Sequence, residues 1–115
     1  MLGEDHPQTL TTTTSLSFAY LNLRRFDKAI SHGEDCLSKS KEAFGEFHQH
    51  TFFYTTRLAD IYFRRGQDEK DLIKSLKMLK ANFGNCRKHL GDDNEYTKEC
   101  LELLLEVTKE RNARS

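Results

Sequence analysis

The sequence is poor in the residues that mark secreted, membrane-spanning and strand-rich proteins. Its 115 residues include three cysteines, one proline, six glycines and no tryptophan. Three widely spaced cysteines form no disulfide framework, so they suit a reducing, cytoplasmic compartment. No apolar run approaches the roughly 20 residues that cross a bilayer, and no basic stretch followed by an apolar one suggests a signal peptide. We therefore expect no membrane segment and no disulfide scaffold.

The chain also lacks an excess of either charge. It carries 18 Lys plus Arg and 18 Asp plus Glu, a formal net charge of zero with His neutral. Non-specific binding to nucleic acid or to an anionic membrane depends on a cationic excess, so neither partner is expected. The 37% hydrophobic and 31% charged content is typical of one soluble domain, which we assign to residues 1–115.

Helical periodicity is the strongest pattern, whereas strand signals are weak. Apolar and small residues recur at intervals of three and four in three long stretches. The clearest of these stripes comprises Leu72, Leu76, Leu79, Phe83, Cys86 and Leu90. The pattern predicts an all-α chain with five helices near residues 8–23, 26–43, 50–65, 68–89 and 95–112.

The chain repeats itself with a period of 42 residues. At this offset Gly3 aligns with Gly45, His6 with His48, and ten of 42 pairs are identical, against the roughly two or three expected by chance. A third copy begins near Gly91, which is 46 residues after Gly45, so the second copy is four residues longer. We assign repeat 1 to residues 2–43, repeat 2 to 44–89, and a partial repeat or capping helix to 90–112.

The repeated residues resemble those of the tetratricopeptide repeat (TPR) in its 42-residue form, as found in kinesin light chains. The resemblance rests on the opening run from Leu2 to Pro7, Thr9-Leu10, Leu16, Tyr20, Phe26-Asp27 and Ala29, with Gly45-Glu46, His48, Thr51, Leu58-Ala59, Tyr62 and Gly66 in the second copy. It implies a right-handed α-solenoid of antiparallel helix pairs, here two and a half repeats. Asp71 departs from the pattern, which has alanine there.

Small side chains on the second helix of repeat 1 favour close packing. Leu16 and Tyr20 are expected to face Ala29, Gly33 and Cys36, because small residues let two helix backbones approach. All three cysteines lie on apolar stripes and are predicted to be buried, unreactive thiols.

Two positions of the second repeat have local predictions. Gly66 suits the tight turn between the two helices of repeat 2, because glycine can take a positive φ without penalty. His48 and His50 form a His-x-His pair that could bind a metal, but His48 recurs at the place of His6, which favours a structural capping role. We predict no metal site and no cofactor.

The resemblance implies that partners bind the concave surface, which the first helix of each repeat lines. In the first helix these positions are Thr11, Thr14, Ser15, Phe18 and Asn22. In the second repeat they are Phe53, Thr56, Arg57, Asp60 and Arg64. In the third they are Glu99, Glu102, Glu106 and Glu110.

The glutamates of the third set, preceded by Glu95, are spaced at helical intervals and form one carboxylate stripe. Charge runs are commonly solvated faces, and Lys98 and Lys109 would partly neutralise this one. The alternative is an acidic wall that receives a peptide with a basic residue and an apolar anchor. Phe18 and Phe53 could hold that anchor, or they could belong to the core.

No phosphate-binding loop, nucleophile elbow or zinc signature occurs, so the chain is not expected to be an enzyme. The predicted function is a non-catalytic protein-interaction module or scaffold, possibly adaptor-like as the resemblance to kinesin light chains implies. One alternative is a regulatory TPR fragment of a larger enzyme or signalling protein. Another is a homo-oligomer in which Cys100, Leu103 and Val107 pack against a second copy. Because about three repeats are normally needed for stability, we favour a fragment of a longer array.

Overall fold

The computed structural model describes residues 19–20, 25–66 and 69–114, and these residues are almost entirely helical. Its four helices are α1 (Phe26–Phe44), α2 (Gln49–Arg65), α3 (Glu69–Leu90) and α4 (Glu95–Arg114). Each lies within two residues of a predicted helix, and these ranges contain no strand, which confirms the all-α prediction. Of the first predicted helix, only the helical residues Ala19 and Tyr20 are described; the rest lies outside these ranges.

The helices pack in chain order as antiparallel neighbours: α1 on α2, α2 on α3 and α3 on α4, with a further contact between α2 and α4. Helix α3 has 22 residues against 19 in α1, so most of the extra length of the second repeat extends this helix. No helix in the described ranges is both long enough and apolar enough to cross a membrane.

Glycines end α1 and α3 in the same way. Gly45 and Gly91 have φ angles of 94° and 89°, in the left-handed region where a side chain is strained. Gly66 lies at the turn after α2, as predicted, but its φ of 2° is outside the left-handed region. Glycine is needed there for space, since an added Cβ would clash with the backbone oxygen of Phe63.

The helix starts are capped by side chains at equivalent positions. Nδ1 of His48 accepts a hydrogen bond from the backbone N–H of His50 at 3.1 Å, at the start of α2. Oδ1 of Asn94, 46 residues further on, accepts from the N–H of Tyr96 at 2.9 Å. Both bonds satisfy a backbone donor that the helix itself leaves unpaired. The predicted capping role of His48 is confirmed.

The apolar core has two parts that meet at α2. The part between α1 and α2 contains Ala29, Ile30, Leu58, Ile61 and Tyr62. The part among α2, α3 and α4 contains Ala59, Leu72, Leu76, Leu79, Cys100, Leu103 and Val107. The predicted oligomer contact through Cys100, Leu103 and Val107 is therefore wrong, since these side chains are buried within the chain.

Close approach of α1 and α2 depends on the small side chains of α1. Gly33 is buried, and a Cβ added to it would lie 3.0 Å from Cδ1 of Leu58. The small face thus contacts α2, the first helix of the next repeat, and Tyr20 packs at the edge of the same cluster. Leu16, the other predicted contact, lies outside the described residues.

One arginine joins the α2–α3 turn to α1. Arg65 donates from Nε and Nη2 to the two carboxylate oxygens of Asp71, at 2.9 and 2.6 Å. Its Nη1 lies 3.4 Å from Oδ1 of Asp27 on α1. The bidentate hydrogen bond from Arg65 holds the pKa of Asp71 below its usual value, against the opposing effect of burial.

Candidate partner-binding face

Four residues of the second predicted set lie along one side of α2. Phe53, Arg57, Asp60 and Arg64 are separated by four, three and four residues, which places them within a narrow arc of the helix. Phe53 and Arg57 are half-buried, and the side chain of Arg64 is 54% exposed. The Asp60 side chain is only 10% exposed, and it accepts a 3.2 Å hydrogen bond from Nε of Arg64.

The predicted carboxylate stripe lies on α4, the helix beside α2. Glu99, Glu102 and Glu106 are exposed, and Glu110 is half-buried. Together with the four α2 residues and Tyr96, these glutamates form what we call the α2–α4 face.

Contacts between the two helices place an aromatic pair beside the charges. The rings of Phe53 and Tyr96 meet edge to face, with centroids 5.9 Å apart. The guanidinium carbon of Arg57 lies 5.6 Å from the Phe53 ring centroid, and Nη2 of Arg57 is 3.7 Å from Oε2 of Glu99. Burial, reinforced by Glu99 and Glu95, raises the pKa of Tyr96, so its hydroxyl keeps its proton at neutral pH.

Of the four stripe glutamates that belong to the α2–α4 face, two have cationic neighbours and two do not. Glu99 is near Arg57, and Glu110 accepts a 2.9 Å hydrogen bond from Nε of Arg114. Glu102 and Glu106 form no ion pair with any residue in the described ranges. Arginines therefore partly neutralise the stripe, where Lys98 and Lys109 were expected. On the α2–α4 face, the remaining negative charge is at Glu102 and Glu106.

Thr56 does not line this face. It is 2% exposed, its hydroxyl donates to the backbone oxygen of Phe52 at 3.0 Å, and it accepts from Nδ2 of Asn82 at 2.9 Å. A partner has no access to it. All five predicted residues of the first helix, Thr11, Thr14, Ser15, Phe18 and Asn22, lie outside the described residues.

Sequence reasoning missed Tyr96, which contacts Phe53 from the first turn of α4. It also missed a buried hydrogen-bond network centred on Asn82 of α3. Nδ2 of Asn82 donates to the backbone oxygen of Phe52 at 3.1 Å, to the hydroxyl of Thr56 at 2.9 Å and to Sγ of Cys100 at 3.5 Å. Asn82 interrupts an otherwise apolar stripe, and that interruption was the available signal. The network ties α2, α3 and α4 together behind the α2–α4 face.

The cysteines are all reduced, and two are inaccessible. Cys86 and Cys100 are fully buried, as predicted, whereas Cys36 is half-buried. The hydrogen bond with Cys100, together with burial, raises the pKa of the Cys86 thiol. Within the ranges that the structure describes, no three His, Cys, Asp or Glu side chains are placed to hold a metal ion.

Part of the chain is similar to a known family. The tetratricopeptide-repeat family model matches residues 9–50, which confirms the resemblance seen in the sequence. The four helices of the described chain are consistent with that type of helical repeat.

The chain is also similar to the Clustered mitochondria protein homolog of Candida albicans. It is 27% identical to this chain over 105 residues, which are 91% of the chain but 7% of the relative. The similarity therefore spans a small part of a much longer protein.

Proposed function

We propose that this chain is a non-catalytic protein-interaction module that holds a segment of a partner protein on its α2–α4 face. Tetratricopeptide repeats are generally interaction modules, which supports the class. The observation that favours this face is the aromatic pair of Phe53 and Tyr96 at one end of a row of carboxylates that continues along α4 to Glu102 and Glu106. The partner segment carries a basic residue and an apolar anchor, and the module acts as an adaptor or scaffold in the cytoplasm.

The two parts of the face contribute differently to binding. Exposed ion pairs contribute about 0–1 kcal/mol each, so Glu102 and Glu106 chiefly select a cationic partner and speed its association. Affinity comes mainly from apolar contact with Phe53 and Tyr96, since aromatic residues dominate interface energies.

Titration of a fluorescent peptide with central Trp and flanking Lys tests this proposal. We expect Glu102→Gln with Glu106→Gln to weaken binding several-fold and to lower its dependence on salt. The matched control is Glu34→Gln with Glu42→Gln, which removes two exposed carboxylates from α1. Equal affinity and equal salt dependence in the α4 variant and the wild type would remove the α2–α4 face from the proposal.

A second candidate is a regulatory repeat segment of a larger enzyme or signalling protein. It is favoured by the relative, in which the similar region is 7% of the length. Attaching the chain to a neighbouring domain and measuring that domain's activity with and without the Lys-rich peptide tests it.

A third candidate is self-association of the chain. Leu105 is 60% exposed on α4, so comparing the sedimentation of the wild type with that of Leu105→Glu tests it.

A further inference from the structure

A concave feature lies between α1 and α3. It is a crevice of about 270 Å³, which we call the α1–α3 crevice. Leu37, Phe52 and Met78 give it an apolar lining, and Thr55 and Asn85 add hydrogen-bonding groups. A crevice of this composition accepts one apolar side chain and a short stretch of backbone.

The α1–α3 crevice and the α2–α4 face are on opposite sides of α2. Thr55 lines the crevice and Phe53 belongs to the face, and two residues on a helix are about 200° apart around its axis. A ligand in the crevice therefore touches none of the residues of the proposed partner-binding face. The two surfaces can be tested separately.

The α3 residues that line the crevice are uncharged, but the surface of α3 beside it is cationic although the chain as a whole is neutral. From residue 72 to 90, α3 contains five Lys or Arg and no acidic residue. Lys77 and Lys88 are exposed on the same side of α3, about 16 Å apart along its axis. Lys41 of α1 lines the opposite wall, and Glu46 is the one carboxylate among the described lining residues.

These lysines are available to a ligand. Lys41, Lys77 and Lys88 form no ion pair with a residue that the structure describes, unlike Arg87, whose Nε is 2.8 Å from Oδ1 of Asp92. Between Lys77 and Lys88 the exposed residues Ala81 and Gly84 have small side chains, so a partner's backbone can approach α3 closely.

We propose that the α1–α3 crevice binds an acidic polypeptide segment with one apolar side chain, which enters the crevice while flanking carboxylates pair with Lys41, Lys77 and Lys88. Charge complementarity selects a partner of this sign. The apolar lining together with the polar groups of Thr55 and Asn85 suits an apolar side chain and its adjoining backbone amides, which favours a peptide over a nucleic acid or a phospholipid surface. The module then carries two partners of opposite charge on opposite sides.

The test is a titration of the full chain with a fluorescent peptide in which one Leu is flanked on both sides by three Glu. We expect saturable binding, weakened at least about tenfold by Lys77→Glu with Lys88→Glu. Lys98→Glu with Lys109→Glu, which reverses two exposed lysines on α4, is the matched control and should leave the affinity within about twofold. Ala81→Trp, which obstructs the crevice mouth without reversing a charge, should weaken binding as well.

Three results would overturn the proposal. The first is that the α3 double variant binds the acidic peptide as tightly as the wild type does. The second is that a peptide with Gly in place of Leu binds as tightly as the Leu peptide. The third is that a single-stranded RNA oligonucleotide or anionic vesicles compete as effectively as the unlabelled acidic peptide. Binding of the Lys-rich peptide to the same α3 variants reports separately on the α2–α4 face, and it also shows that the variants are folded.

Discussion

At the scale of single residues, equivalent positions of the two described repeats can be equally buried and still differ in their hydrogen bonds. Thr51 and Thr97 are aligned in the sequence, and both are 2% exposed. The Thr51 hydroxyl donates to the backbone oxygen of Gly45 at 2.7 Å and bonds to the Ser40 hydroxyl at 2.9 Å. The Thr97 hydroxyl has no hydrogen-bond partner in the described part of the chain.

We expect these two threonines to respond differently to the same substitution. Thr51→Val leaves the buried hydroxyl of Ser40 and the backbone carbonyl of Gly45 without their hydrogen-bond partner. It should therefore lower the free energy of unfolding by about 1–3 kcal/mol. Thr97→Val removes a polar atom that is already unpaired, so stability should be unchanged or slightly higher. Urea denaturation followed by circular dichroism measures both. A larger loss for Thr97→Val than for Thr51→Val would contradict the hydrogen bonding described here.

At the scale of elements, the bounds of the helices could be predicted closely, whereas the ion pairs and hydrogen bonds between helices could not. Helix bounds follow from apolar periodicity and from Gly45 and Gly91, which are local signals. In the sequence, Asp71 stands out only as a departure from the alanine of the repeat pattern. Its pairing with Arg65 depends on the geometry of the turn between them, and that geometry arises from the packing of α2 on α3.

The Arg65–Asp71 pair predicts a pH-dependent stability. Because the pKa of Asp71 is lowered in the folded state, the pair stabilises the protein at neutral pH, and this contribution is lost as pH falls through the folded-state pKa. Asp71→Asn should cost about 1–3 kcal/mol at pH 7. The difference in the free energy of unfolding between this variant and the wild type should become smaller as pH falls below about 4, where the Asp71 carboxyl titrates in the unfolded chain.

The control for this measurement is Asp35→Asn. Asp35 pairs with Lys39 at 3.1 Å, but both side chains are at least 60% exposed, so the change should cost no more than about 1 kcal/mol. Urea midpoints for the three proteins across this pH range give the comparison. A constant difference between Asp71→Asn and the wild type at all pH values would show that the carboxylate pair does not supply the stability.

At the scale of the whole molecule, the repeat period predicts which helices neighbour one another but not the surfaces that they create. Glu99, Glu102 and Glu106 could be placed on one stripe because their spacing is local. The contact between Tyr96 and Phe53 joins residues 43 positions apart, and the α1–α3 crevice draws on three helices. Such features depend on the distances between helices, which no periodicity of one helix determines.

The small stack should be sensitive to loss of one large core side chain. Tyr62 is 4% exposed, and Nζ of Lys74 lies 4.4 Å from its ring centroid. Tyr62→Ala should cost about 2–5 kcal/mol, a large fraction of the stability of a small domain. Thermal denaturation measures the effect, and Tyr62→Phe, which keeps the ring, is the control. A shift of less than a few degrees for Tyr62→Ala would contradict the position of Tyr62 in the core.

The most direct measurement of the central proposal maps the bound Lys-rich peptide onto the chain by NMR. Backbone amide shifts of the isotope-labelled protein are recorded as the peptide is added. We predict that the largest changes occur at residues 53–64 of α2 and 96–110 of α4, with little change along the exposed side of α1. Changes confined to α1 and the outer side of α3, or none at saturating peptide, would contradict binding at the α2–α4 face.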